Sequence, residues 1–114
     1  MAILTPQQIS QVGLVPTTVT PAVGGDTLVN TSIQFFHVQN DGAVAITATV
    51  LPVVTTVIDP SLGKLVKENA ILNLAVGAEG YLGPFEIDAF NDASGNITIT
   101  CSAQTGVKLA ALYL

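Results

Sequence analysis

The sequence predicts an all-β fold: one antiparallel β-sandwich or jelly-roll-like domain with an extended N-terminal arm. Three observations lead there. Val, Ile and Thr supply 36 of the 114 residues, and side chains branched at Cβ are stiff at χ1 and fit a pleated surface better than a helix. Ten Gly and six Pro punctuate the chain at short intervals, the pattern of many short strands joined by turns. A chain of 114 residues makes one domain, able to bury roughly 65% of its unfolded surface without disulfides.

Residues 1–30 read as the arm and residues 31–114 as the sandwich. Pro6, Pro16, Pro21 and the pair Gly24-Gly25 leave the arm weakly patterned. One helical turn is expected within it, with Thr5 as cap, Pro6 at the first helical position, Ile9 and Val12 on one face and Gly13 as stop. Ile33 to Gln39 reads as a strand closed by Asn40-Asp41-Gly42, with Gly42 supplying a positive φ. A second strand starts at Ala43, with Val44, Ile46, Ala48 and Val50 on one face and Thr47 and Thr49 on the other, and Pro52 ends it at an edge or bend.

Val53 to Ile58 resumes beyond that bend. Asp59 to Lys64 is the clearest loop, and Lys64, Lys67 and Glu68 form a solvated tip near it. From Ala70 to Val76 the faces alternate, Ile71 and Asn73 against Leu72, Leu74 and Val76. Gly77 to Gly80 turns the chain into a short strand at Tyr81 and Leu82, Gly83-Pro84-Phe85 bends it, and Ile87 to Phe90 is expected to be extended. The connection Asn91 to Asn96 leads into the most regular strand, Ile97 to Ala103, and Gln104-Thr105-Gly106 is expected to close a hairpin onto Val107 to Tyr113. The C-terminus is thereby pinned in a sheet.

Charge narrows the function. Eight Asp or Glu, three Lys, no Arg and one His leave 10% of residues charged and a net charge of −5, where a quarter charged is usual. Acid–base catalysis, phosphate binding and metal capture lack material, so no enzyme, cofactor or metal is expected. An acidic chain without a basic stripe is a poor partner for nucleic acid or an anionic membrane. The apolar stretch Gly42 to Ile58 is interrupted by Thr47, Thr49, Pro52, Thr55 and Thr56 and falls short of the roughly 20 residues of a membrane span. An exterior of Thr, Ser, Asn, Ala and Val suits permanent contact with other protein.

Cys101 alternates in phase with Ile97 and Ile99, so it reads as a small buried residue. Met1 to Ser10 has neither a basic nor an apolar signal region, and folding in a reducing cytosol is expected. His37 has no second His or Cys near it and reads as structural or interfacial. Asp92, Ser94 and Asn96 imitate a calcium loop but lack its regular ligand set and terminal Glu, so an Asx-type turn is expected. Asn30-Thr31-Ser32 and Asn96-Ile97-Thr98 match a glycosylation sequon but read as turn and strand-edge residues.

Gly24-Gly25-Asp26, Phe35 to Asn40, Gly83-Pro84-Phe85, Phe90-Asn91-Asp92, Gly95 to Ser102 and the terminal run Val107 to Leu114 occur in an order that resembles the small auxiliary head proteins of tailed bacteriophages, called cement, decoration or head-stabilisation proteins. The resemblance covers most of Gly24 to Leu114; Val50 to Glu68 departs from it in being longer and more apolar. It implies a structural subunit made in the bacterial host cytoplasm that binds the major capsid protein on the outer surface of the virion and stabilises the shell against internal DNA pressure. A homotrimer is expected, with a dimer as the alternative. The arm residues Ile3, Leu4, Ile9, Val12 and Leu14 and the terminal Leu112, Tyr113 and Leu114 are the expected interface. The rival reading is a small carbohydrate- or receptor-binding sandwich module of a virion; against it, the chain has no Trp and only Tyr81 and Tyr113 to stack on a sugar.

Overall fold

The computed structural model describes residues 2–53, 56–59, 61, 63–66 and 69–114. The chain is nearly all β, and two sheets pack as a sandwich. The strands are β1 (Ala2–Ile3), β2 (Gln7–Gln8), β3 (Asp26–Val29), β4 (Gln34–Asn40), β5 (Ile46–Val50), β6 (Thr56–Asp59), β7 (Gly63–Val66), β8 (Ala70–Leu74), β9 (Glu79–Leu82), β10 (Asn96–Cys101) and β11 (Val107–Tyr113). One sheet has the order β1-β3-β10-β5-β8 and the other β2-β11-β4-β9, while β6 and β7 form a separate two-stranded sheet among the described residues.

Alternation builds the core. Ile46, Ala48 and Val50 of β5, Leu28 of β3 and Ile97, Ile99 and Cys101 of β10 point inward from the five-stranded sheet; Phe36 and Val38 of β4 and Val107, Leu109 and Ala111 of β11 meet them from the other. The opposite phase of β4 and β11 sets Phe35, His37 and Gln39 beside Leu112, Ala110 and Lys108 on the outer face. Within β5, β8 and β10 the expected inward phases are found, with Ile71 and Asn73 exposed while Leu74 is buried, but Val44 and Val76, expected on the inward faces, lie beyond the ends of β5 and β8 and are exposed.

Connections depart from expectation more than strands do. Gln104 to Gly106 does not close a hairpin, because β10 pairs with β3 and β5 whereas β11 pairs with β2 and β4. The chain steps from one sheet to the other, which lets the apolar faces of both strands, Cys101 and Val107 included, turn toward a shared core. The Asn40-Asp41-Gly42 turn likewise carries β4 to β5 across the sandwich. Gly42 does not have a positive φ; its need is for space, since a Cβ there would lie 2.7 Å from the Thr105 carbonyl oxygen. Among the described residues, β6 and β7 are the consecutive strands that pair with each other, and this hairpin is inserted between β5 and β8, which pair within the five-stranded sheet. Part of the expected Asp59–Lys64 loop is therefore strand, with Asp59 opposite Gly63. The polar tip expected of Lys64, Lys67 and Glu68 falls outside the described residues, apart from the backbone of Lys64 in β7.

Ile87 to Phe90 is not extended but forms one helical turn, α1. Phe90 N–H donates to the Glu86 carbonyl at 3.0 Å and Asn91 N–H to that of Ile87 at 3.2 Å; winding the chain buries Ala89 and Phe90 side by side, which an extended run with alternating faces cannot do. Ile33 and Ala43 to Ala45 lie outside the strands they were assigned to, so β4 and β5 are shorter than read.

The arm is not helical between Thr5 and Gly13. Its backbone groups find partners in strands remote in sequence: β1 runs parallel to β3, and β2 runs parallel to β11. Only Leu4, Thr5 and Pro6 separate β1 from β2, so the arm laces the adjacent edges of the two sheets together. Gly13 closes a tight turn onto the Ser10 carbonyl, and Asp26–Val29 is an integral strand, with Asp26 and Leu28 fully buried.

Candidate interaction surface

The laced edge carries several exposed apolar side chains, among them Ile3, Val12, Val15 and Leu114. Leu4 N–H donates to the Thr27 carbonyl (2.8 Å) and Ile9 N–H to the Tyr113 carbonyl (2.8 Å). Between these anchors and the next, a two-way backbone bridge joining Val19 and Leu109 at 2.8 Å, the chain loops outward. Gln7 ties the loop's base: its Nε2 donates to the Thr17 carbonyl and its Oε1 accepts from Thr17 N–H, both at 2.9 Å. A cleft of about 430 Å³ opens between this loop and β11, lined by Ile3, Leu4, Thr17, Val19 and Ala110 among others.

The eight expected interface residues divide between core and surface. Leu4 belongs to the hydrophobic core and Leu112 is buried within the monomer, so neither side chain is offered to a partner. Ile9 and Tyr113 are half-buried, and Leu14 is exposed. Ile3 (78% exposed), Val12 (92%) and Leu114 (79%) stand in solvent, joined by Val15 (92%), which the sequence did not single out. Ile3 on β1 and Leu114 just past β11 flank the same edge, because β1 and β2 are three residues apart and β2 pairs with the end of β11.

His37 sits on the outer face of the four-stranded sheet, as its phase against Phe36 and Val38 predicts. Its Nε2 is 3.3 Å from Glu79 Oε2, and its ring lies 5.0 Å from that of Tyr81. In the Asn91–Asn96 connection, Asp92 Oδ1 accepts from Ser94 N–H (2.8 Å) and Asn96 N–H (3.0 Å), an Asx-type turn that engages the oxygen a cation would need. No three His, Cys, Asp or Glu side chains converge as a metal-binding group among the described residues. Cys101 is buried, and its thiol is pushed up to about 11, first by desolvation and then by the Asp26 carboxylate. Among the described residues no helix is long and apolar enough to cross a membrane.

Two polar clusters escaped the sequence reading. Asn40 is fully buried: its Nδ2 donates to the Val44 carbonyl (2.8 Å) and reaches those of Leu74 and Ala75 (3.3 Å each), while its Oδ1 accepts from Gly42 N–H (3.1 Å). Asn30 Nδ2 donates to Asn91 Oδ1 (2.6 Å) and the Phe85 carbonyl (3.1 Å), and Asn91 Nδ2 donates back to the Asn30 carbonyl (3.0 Å). Both asparagines satisfy carbonyls of crossing connections, which no local pattern reveals; the only sequence cue is an Asn at the end of a strand. Asn30 is thereby engaged inside the fold and not presented as a sequon.

No protein-family model, curated protein or solved structure matches this chain.

Proposed function

We propose that this chain is a structural coat subunit of a tailed-phage head, a cement or decoration protein that binds the major capsid protein on the outside of the shell and stabilises it against internal DNA pressure. The observation that carries the proposal is the laced edge, where Ile3, Val12, Val15 and Leu114 leave apolar side chains in water on a chain with 10% charged residues. Exposed apolar side chains are what a contact surface covers, and a chain with few charges has little charge to desolvate when its surface is covered. The sequence resemblance supplies the partner. The action is mechanical: binding only the intact lattice stabilises it by mass action, and many modest contacts act together. The net negative charge suits the outside of a shell, away from packaged DNA.

Closed cyclic symmetry is the usual form of such self-association, with a trimer first and a dimer second. The test pairs light scattering of the purified chain with co-sedimentation on empty heads of the phage that encodes it. Deleting the arm would be uninformative, because Leu4 would leave the core; Val12→Glu with Val15→Glu disturbs only exposed positions. The proposal expects a closed oligomer or head binding in the parent chain, and loss of either in the double variant. A parent chain that stays monomeric when concentrated and stays in the supernatant refutes it.

A further inference from the structure

The outer face of the four-stranded sheet carries an exposed aromatic ring held by its neighbours. Tyr81 is 61% exposed, yet the His37 ring packs against it at 5.0 Å and the Phe35 ring meets it edge-on at 5.9 Å. Register accounts for the cluster: His37 is the direct cross-strand partner of Tyr81 and Phe35 precedes His37 by two residues on the same face. A ring fixed in this way loses little conformational freedom when something stacks on it.

The next row along the same face is polar. Lys108, Gln39 and Glu79 lie side by side across β11, β4 and β9, two residues or about 7 Å along the strands from the Ala110, His37 and Tyr81 row. Lys108 Nζ pairs with Asp41 Oδ2 at 3.0 Å, Gln39 Nε2 donates to Asp41 Oδ1 at 3.2 Å, and Glu79 reaches His37. Twelve of this chain's residues are Lys, Asp, Glu or His, and His37, Asp41, Glu79 and Lys108 gather on this strip. Lys108 and Asp41 offset one another's charge, so the strip has no spare cation to hold a phosphate, sulfate or carboxylate. It offers an exposed aromatic ring beside carboxylate and amide groups that can exchange hydrogen bonds with hydroxyls.

We propose that this strip binds a neutral glycan, with Tyr81 stacking on the C–H face of a pyranose ring and Glu79 and Gln39 bonding its hydroxyls. A pyranose has the same division, one apolar face rimmed by hydroxyls, and spans the distance between the two rows. The strip lies on the outer face of one sheet, whereas the coat reading rests on the laced edge, so either can fail without the other.

The test is a nuclear magnetic resonance titration of the isotope-labelled whole chain with maltohexaose, cellohexaose and N-acetylchitohexaose at millimolar concentration. At least one is expected to move the Tyr81, His37 and Gln39 signals saturably. Tyr81→Ala should weaken binding by about tenfold or more while Tyr81→Phe stays within about threefold, since stacking needs the ring and not the hydroxyl. Because Tyr81 is exposed, both variants keep the fold, which unchanged amide signals across β10 verify. No saturable shift with any of the three glycans, or equal shifts in Tyr81→Ala, overturns the proposal. So do shifts that follow protein concentration and not glycan, which mark the strip as a contact between copies.

Discussion

Gly42 and Gly106 pack backbone against backbone where two sheet-to-sheet connections cross: a Cβ built on Gly106 would sit 2.5 Å from Gly42 Cα. Asp41 N–H donates to the Gly106 carbonyl at 2.9 Å and fastens the crossing. The connections from β4 to β5 and from β10 to β11 therefore share one point, where main chain meets main chain.

Gly106→Ala should be among the most damaging small substitutions in the protein. Gly106 has φ +77° and its Cβ would overlap main-chain atoms, whereas Gly77 has φ +81° with open space around it. Gly77→Ala isolates the left-handed backbone cost of about 1–2 kcal/mol, and Gly106→Ala should exceed it by about 2 kcal/mol or more because neither backbone can yield cheaply. Thermal unfolding of the two variants checks the difference; equal losses would mean that the crossing relaxes freely.

Asn40→Asp preserves shape and reverses one end of the chemistry. The acceptor for Gly42 N–H survives, but a carboxylate oxygen replaces the amide that donates to Val44 and faces the Leu74 and Ala75 carbonyls. The expected loss is about 3 kcal/mol at neutral pH. Part of it should return on acidification, since a protonated carboxyl can donate again. Denaturant unfolding at pH 7 and at pH 4 distinguishes this from a simple packing defect, which would be indifferent to pH.

How much of this fold the sequence revealed depends on the range of the interaction. Ile46, Ala48 and Val50, and likewise Ile97, Ile99 and Cys101, announce their inward faces by period-two alternation, a property each strand carries alone. Gln104-Thr105-Gly106 announces only a turn; whether the next strand returns to the same sheet or crosses to the other is decided by which remote edges are free, and nothing within three residues records that. β1 and β2 are two-residue strands whose partners lie more than twenty and a hundred residues away, so Pro and Gly dominated the local reading. α1 shares the difficulty: Ile87 to Phe90 is four residues long, and its helical turn is secured by burying Ala89 and Phe90. For the surface, the exposed Val12 and Leu114 are legible as apolar residues outside strand periodicity, but the same argument selects Leu4, which the core claims, and Leu112, which is buried on the outer face of the four-stranded sheet.

Leu4 makes the arm a structural part of the monomer. Leu4→Ala should cost about 2–4 kcal/mol, the range for emptying a buried leucine site, while Val12→Ala should change stability by less than about 0.5 kcal/mol. Both changes lie in the first twelve residues, and chemical denaturation separates them. If Leu4→Ala is as mild as Val12→Ala, the arm does not dock on the sandwich in solution.

Cys101 gives the protein an alkaline limit. Its thiol is raised from 9.0 to about 11 by burial and, secondarily, by Asp26. Below pH 9 both folded and unfolded chains keep the proton, so the stability linked to this group is fully present. Between pH 9 and about pH 11 the unfolded chain releases it while the folded chain retains it, and stability falls as pH rises, by on the order of 2 kcal/mol. Lysine and tyrosine titration in the same range is common to parent and variant, so the informative quantity is the difference between the parent and Cys101→Ala. Cys101→Ala should begin less stable at pH 8, from its lost side-chain volume, and lose less on going to pH 11. Parallel stability curves for the two chains across that range would show that the thiolate is as well solvated in the folded protein as in the unfolded one.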